Sequence, residues 1–307
     1  MNTQDTSVLP SGPNEAPGSV GAIDMGSKNF KFVFGQQVNG IITTELIGKE
    51  RLELGKEVTE NDGLIGAKKI LQIQEVLSQF VRYCGDRGAH EVLAIATSAI
   101  RNAKNHERII DMARETGLTI DVVDGAREGE VGYFAATGGA SNKLVSDAGS
   151  KSMQIAWESL GKIHSRSVPV GYQLAYESFL EPACTLSEAE QHFRRFLDGN
   201  FTEVPENKDQ FIALAANTIT SFVAGEQKRQ PHRTLTRTAL NDRLSELRRL
   251  SESQYDDLKS SLAGVEKVLP GLIFLDYMME RSGHGEALVS ENELPVGLIV
   301  EYFLRRL

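Results

Sequence analysis

Val20-Gly21-Ala22-Ile23-Asp24-Met25-Gly26-Ser27-Lys28-Asn29-Phe30-Lys31-Phe32-Val33-Phe34 reads as a strand, a tight turn and a second strand. Ala22 and Ile23 lead in, and Phe30, Phe32 and Phe34 alternate on the way out with the period of a half-buried strand. The turn carries an acid, a glycine and a hydroxyl. Gly26 allows a ligand to approach the backbone, and successive amides in such a turn form an anion-binding concavity. Asp24 at the strand end is suited to hold a magnesium ion, directly or through water. No helix follows the glycine, which separates the stretch from the strand-turn-helix phosphate patterns. Two readings stay open from these residues alone: a phosphate loop between antiparallel strands, or an ordinary β-hairpin.

A chain of 307 residues is expected to form about two domains. With 40% hydrophobic and 24% charged residues it has the composition of a soluble globular protein. The net charge of -9 disfavours nucleic acid and membrane surfaces as partners, and requires any polyanion site to be locally basic. The two cysteines, Cys84 and Cys184, have no metal-ligand spacing, which suits a reduced cytosol. The six histidines are scattered, and no apolar run is long enough to span a membrane. Residues 1–19, rich in Pro, Gly, Ser and Asn, read as a disordered tail without the charge and apolar blocks of a signal peptide.

Outward from the first hairpin, Gly40–Gly48 predicts a third strand and Lys49–Gly55 a polar connection. Leu64–Gly85 carries an apolar stripe at helical spacing, and Glu91–Thr97 is a buried strand. Thr97 or Ser98 is placed to cap a helix predicted to run to Gly117. Ile120–Val123 is a further strand, and another helix opens around Glu128. This β-β-β-α-β-α-β-α order predicts a mixed sheet covered by helices.

Gly138-Gly139 marks a break, after which strand-turn-strand recurs over Lys143–Trp157. Asp147-Ala148-Gly149-Ser150-Lys151 repeats Asp24-Met25-Gly26-Ser27-Lys28 at every position but the second. A repeat at such separation points to duplicated subdomains, with a ligand expected in a cleft between them. The expected boundaries are residues 20–137 and 138–307, with the terminal helix free to return to the first domain. Later segments read as a helix over Ser187–Leu197, a strand over Phe211–Ala216, helices over Thr238–Leu250, Gln254–Ala263 and Leu269–Ser282, a strand over Ala287–Ser290, and a helix over Val296–Leu307. The densest basic run, Gln227–Arg237 with Lys228, Arg229, His232 and Arg233, is read as a solvated surface loop.

Ala96-Thr97-Ser98-Ala99-Ile100-Arg101-Asn102-Ala103-Lys104-Asn105 resembles the Ala-Thr-Ser-Ala-x-Arg-x-Ala-x-Asn pattern of the exopolyphosphatase/guanosine pentaphosphate phosphohydrolase (Ppx/GppA) family. Asp24-Met25-Gly26-Ser27 resembles that family's first phosphate loop, and Gly125-Ala126-Arg127-Glu128 its Gly-x-Glu-Glu segment. Val268-Leu269-Pro270-Gly271 and Leu288-Val289-Ser290-Glu291 fit more loosely. The resemblance implies an α/β fold of two ribonuclease-H-like domains, as in the actin-like ATPase superfamily, with an interdomain cleft. It further implies magnesium-dependent release of terminal phosphate from polyphosphate or pppGpp, and often a homodimer. Carried over residue by residue, Glu128 would be the general base and Arg101 the phosphate clamp. Asp24 and Asp147 would hold the metal, while Gly26, Ser27, Ser98, Gly149, Ser150, Ser152 and the loop amides would bind phosphate.

The chain also departs from the family pattern. Lys28-Asn29 stand where the first loop has Asn-Ser, Ser150 and Lys151 replace glycines of the second loop, and Gln154 replaces its glutamate. Arg127 replaces the first Glu of the Gly-x-Glu-Glu segment, Ala215-Ala216-Asn217-Thr218 replaces a Gly-rich third loop, and the arginine of the C-terminal Gly-Leu-Arg-Glu-Gly is missing. These changes are expected to make the site more positive, with Lys28 and Lys151 either binding substrate anions and partly replacing a metal, or pointing to solvent. The expected function is a cytosolic phosphohydrolase acting on a phosphorylated small molecule or phosphate chain. The alternatives are a degenerate relative that binds a nucleotide or anion and regulates a partner, and a small-molecule kinase of the same superfamily.

Overall fold

The computed structural model describes residues 9–10, 18–214, 216–225 and 234–306. Most of the expected tail, Ala215 of the third loop, and Lys228, Arg229, His232 and Arg233 of the basic run lie outside the described residues.

The chain forms two compact units, the first built from residues up to Gly139 together with those from Glu293 onward, the second from Ala140–Asn292. In the first unit, β1 (Leu9–Pro10), β2 (Gly18–Met25), β3 (Asn29–Val38) and β4 (Ile41–Arg51) precede α1 (Leu54–Glu60) and α2 (Ala67–Asp86). Then come β5 (Glu91–Ala96), α3 (Ser98–Arg101), α4 (His106–Glu115), β6 (Ile120–Val122) and α5 (Gly125–Thr137). The second unit holds β7 (Lys143–Ala148), β8 (Met153–Ser159), β9 (Lys162–Val168), α6 (Tyr172–Ala175) continued by a π-helical turn (Tyr176–Leu180), and α7 (Leu186–Asn200). It continues through β10 (Gln210–Leu214), α8 (Asn217–Val223), β11 (Thr234–Thr236), α9 (Arg237–Arg248), α10 (Glu252–Ser261), α11 (Val265–Ser282) and β12 (Glu286–Ser290). Finally α12 (Leu294–Leu304) returns to the first unit.

The repeat seen in the two loops extends to whole sheets. The first sheet runs β1-β4-β3-β2-β5-β6 and the second β11-β12-β10-β7-β8-β9. In each, an antiparallel meander (β2-β3-β4; β7-β8-β9) is joined on the side of its first strand by parallel strands (β5, β6; β10, β12). This is the ribonuclease-H-like arrangement, present twice. Helices cover the sheets because the buried residues of α2 (Ile70, Ile73, Leu77, Phe80, Cys84) form one stripe, which joins Phe30, Phe32 and Phe34 in a common core. On the other face of the first sheet, Val20, Ala22 and Val33 pack with Ile299, Val300 and Phe303 of α12. Each fully buried side chain of this size contributes roughly 1.5–3 kcal/mol.

None of β9, α6 and α8 is expected from the sequence, and the end of the basic run read as a surface loop is instead β11 and the start of α9, where Arg237 pairs with Asp276 (3.1 Å). Three further elements differ from the expectation. The helix predicted over 97–117 is broken after Arg101 and resumes at His106. The intervening residues turn aside to meet the segment before α2. Lys104 N–H donates to Gly63 O (2.8 Å), and the Asn105 amide both accepts from Ile65 N–H (2.9 Å) and donates to Ile65 O (2.8 Å). The helix predicted from Leu269 already begins at Val265, so Pro270 lies inside it. The polar connection 49–55 is instead the end of β4 and the start of α1.

Candidate active site

In the first unit the candidate residues gather at the carboxyl ends of the parallel strands β2, β5 and β6, where open α/β sheets bind ligands. The turn after β2 is held by Gly26 N–H donating to Asn29 O (3.2 Å). A Cβ on residue 26 would lie 2.8 Å from that oxygen, so the turn requires glycine. Its carbonyls are tied down as well: Ser27 O accepts from Gly55 N–H (2.8 Å) and Lys28 O from Leu52 (3.1 Å) and Glu53 (3.0 Å). These bonds spend the carbonyls on the protein, which turns the anion-repelling side of the peptides away from the loop.

A chain of contacts leads from this loop to the other predicted residues. Ser27 and Ser98 hydroxyls lie 3.0 Å apart, and Thr97 N–H donates to Met25 O (3.4 Å). Arg101, half-buried at the end of α3, donates from Nη1 to Val123 O. Val123 leads directly into α5, whose cap is Asp124 accepting from Arg127 N–H (2.8 Å). Glu128, half-buried in the first turn of α5, has its Oε2 shielded from solvent. Helix N-termini favour an ionised carboxylate. Arg101 makes no ion pair with any described residue, so the helix-surface salt bridge that would explain it structurally is absent there. A guanidinium has five N–H donors, and one of them orients this fork.

The second unit repeats the loop at the carboxyl end of β7. Asp147 faces Gln154 across β7–β8, as Asp24 faces Lys31 across β2–β3. Gly149 matches Gly26, its Cβ position lying 3.1 Å from Ser152 O. Gln154 donates to Ser152 Oγ (2.7 Å), and both are buried. Ser150 and Lys151 are half-buried, whereas Lys28 is exposed. Beside this loop, Asn217 at the start of α8 donates to Glu291 (2.6 Å) beyond β12. Its Oδ1 is buried without a hydrogen-bond partner among the described residues.

Sequence reasoning missed three residues, Lys31, Gly171 and Glu301. Lys31 sits 3.8 Å from Asp24 and 3.3 Å from Glu293, so the cation beside the first-loop carboxylate is this residue. The alternation of β3 carried the signal, since Lys31 lies opposite Asp24 in register. Gly171 is pressed by the second loop: a Cβ there would lie 2.2 Å from Ser150 C and 2.3 Å from Lys151 N. No local signal marks it. Arg127 does not add free positive charge to the site as expected. It forks onto Glu301 of α12, with Nη1 2.8 Å from Oε1, and reaches Glu130 at 3.2 Å. The hydrogen bonds it donates to Glu301 raise its pKa above the usual arginine value.

A magnesium site is compatible with these residues in its minimal form. Each loop offers one carboxylate, Asp24 or Asp147, and magnesium is commonly held by one or two carboxylates, with water and substrate phosphates completing the shell. Among the described residues no group of three His, Cys, Asp or Glu side chains is arranged to hold a metal without such help.

A sequence profile of the Ppx/GppA phosphatase family matches residues 35–305. This chain belongs to that family. Two curated relatives are similar over less than half of it. A guanosine-5'-triphosphate,3'-diphosphate pyrophosphatase of Aliivibrio fischeri (strain MJ11) is 26% identical over 143 residues, 45% of this chain and 29% of the relative. Exopolyphosphatase 1 of Mycobacterium leprae (strain TN) is 23% identical over 142 residues, 45% of this chain and 42% of the relative. The matched stretch thus spans less than half of either relative. The crystal structure of the Aquifex aeolicus Ppx/GppA family member shares the fold across 95% of this chain and 99% of its own, with a TM-score of 0.79 at 22% identity. No helix among the described residues of this Ppx/GppA protein is long and apolar enough to cross a membrane.

Proposed function

We propose that this Ppx/GppA protein is a phosphohydrolase releasing terminal phosphate from a phosphoanhydride, such as polyphosphate or a pppGpp-like nucleotide. The observation that carries the reading is Arg101: an oriented, half-buried guanidinium with no carboxylate partner among the described residues, next to the Ser27–Ser98 hydroxyl pair. Such a fork is shaped for the oxygens of a terminal phosphate. The amides of Ser27 and Lys28 and the Ser27 hydroxyl share the remaining phosphate charge, with Gly149, Ser150, Lys151 and Ser152 as the corresponding set in the second unit. Glu128 accepts a proton from the attacking water; the water oxygen bonds to phosphorus as the bridging P–O bond breaks, and the shortened chain leaves with the bridging oxygen. Asp24 and Asp147 are the carboxylates available to magnesium, which when bound neutralises phosphate charge. The setting would be cytosolic, and a homodimer is expected from the family resemblance.

A second reading has specific support. Lys31 already neutralises Asp24, and Gln154 gives a neutral partner opposite Asp147, which suits a relative that binds an anion and regulates a partner without hydrolysing it. The discriminating experiment measures phosphate release by the full chain from polyphosphate, pppGpp and a panel of phosphorylated metabolites, with and without magnesium. Release lost in Glu128→Ala supports the hydrolase; tight binding of a substrate without release supports the regulator; turnover of ATP only with a second substrate supports a kinase.

A further inference from the structure

We infer that the Arg127–Glu301 ion pair is a positioning device for Glu128, so that α12 sets the placement of the proposed base; this rests on the hydrolase reading above. Arg127 occupies the position where the family pattern has a glutamate, immediately before Glu128. Its side chain leaves α5 and forks onto Glu301, 174 residues away in sequence, through both terminal nitrogens. Glu301 is only 5% exposed, so its carboxylate is desolvated and strongly dependent on that fork. Its other partner, Arg305, is the C-cap of α12 and cannot tie it to α5.

The backbone geometry reinforces the fork. A Cβ at Gly297 would lie 2.1 Å from Val131 O and 3.0 Å from Ala135 N, so α12 and α5 approach with no side chain between them. The same helix is seated on the first sheet, where a Cβ at Gly35 would lie 2.5 Å from Ile299 Cγ2. At its start, Glu293 reaches Lys31, the neighbour of Asp24. Thus α12 contacts the strand pair that carries the first phosphate loop and the helix that carries Glu128. The fork fixes the first turn of α5 in rotation and along its axis. A base must lie within hydrogen-bond reach of the water it deprotonates, and displacement by about 1 Å is enough to cost on the order of 100-fold in rate.

The test compares Arg127→Met, Glu301→Gln, Arg127→Lys and the exchange Arg127→Glu/Glu301→Arg with wild type, in steady-state phosphate release from the preferred substrate. The expected result for Arg127→Met is a fall in kcat of about 10- to 100-fold with KM changed less than about twofold, and partial recovery in Arg127→Lys and in the exchange. Unchanged kcat in a folded Arg127→Met overturns the inference, as does a kcat loss that neither Arg127→Lys nor the exchange restores. Should wild type itself release no phosphate, the hydrolase reading fails and the ion pair is judged by amide hydrogen exchange. Faster exchange in Arg127→Met confined to Gly125–Glu130 then upholds positioning of that turn, and exchange unchanged there refutes it.

Discussion

Replacing Gly171 by alanine probes the second phosphate loop without substituting any candidate residue. Gly171 has an extended backbone (φ -86, ψ -179) open to any residue, so the effect of the added methyl is purely steric. Its Cβ would lie 2.2 Å from Ser150 C and 2.3 Å from Lys151 N and Ser150 O, all backbone atoms that cannot rotate away. Ordinary contact begins near 3.4 Å, so the loop or the residue must move by about 1.2 Å. Overpacking of this kind costs about 1–3 kcal/mol. The shift also strains the bond from Tyr172 N–H to Gly149 O (2.9 Å), worth about 1 kcal/mol. At about 2–4 °C per kcal/mol for a unit of this size, the melting temperature of the second unit should fall by about 4–16 °C. Trp157, the single tryptophan, lies on β8 and reports on that unit alone. The assay is thermal unfolding followed by its fluorescence, with Gly199→Ala as control. Gly199 lies in α7 with nothing within 4 Å of its Cβ position, so that variant should be stabilised by up to about 1 kcal/mol. A Gly171→Ala protein that melts with wild type and releases phosphate at the wild-type rate would refute the tight seating of the loop.

Further outcomes follow from other parts of the molecule. Cys84 is buried and burial pushes its thiol up to about 12, whereas Cys184 is exposed, so a thiol reagent should modify one cysteine quickly and the other only on unfolding; two rapid equivalents would contradict this. Burial opposes ionisation of Glu190, but hydrogen bonds from Arg248 (2.8 Å) and Arg194 (2.9 Å) outweigh it and hold the carboxyl below its usual range. Its contribution to stability is therefore present above the ordinary glutamate pKa near 4.5 and is lost as pH falls through the depressed folded value. Glu190→Gln should reduce stability at neutral pH and shrink the acid-induced loss seen in Trp157 fluorescence; an unchanged pH profile would contradict the pairing. Arg101→Gln should lower kcat/KM for phosphate release by about 30- to 1000-fold, equivalent to about 2–4 kcal/mol, with stability close to wild type; normal kinetics would remove Arg101 from the site.

The parts of the fold written in local pattern were legible in the sequence. The alternation of Phe30, Phe32 and Phe34, the stripe of α2, and the repeated Asp-x-Gly-Ser-Lys led to two duplicated sheets, and the observed strand orders match one another. The Ala96–Asn105 motif pointed to the family, but its internal division was hidden. Ala99, Ile100 and Ala103 are core residues, Arg101 turns to the strand ends, and Asn105 clamps Ile65. That clamp breaks the helix through a contact 40 residues away, which helical periodicity cannot register. The charge bookkeeping at the site failed for the same reason. Arg127 counts as a cation in sequence, yet Glu301 neutralises it from the terminal helix, and Lys31 rather than Lys28 lies beside Asp24. Gly171 carries no motif, because its requirement comes from the loop folded against it.

The central claim, that Glu128 activates water for attack on a terminal phosphate, is tested most directly by phosphate release in water enriched in oxygen-18, with wild type beside Glu128→Gln. Wild type should release phosphate carrying one oxygen from water, and a variant that melts normally should do so at least about 100-fold more slowly. Release that continues at the wild-type rate in Glu128→Gln, or phosphate without the label, would contradict it.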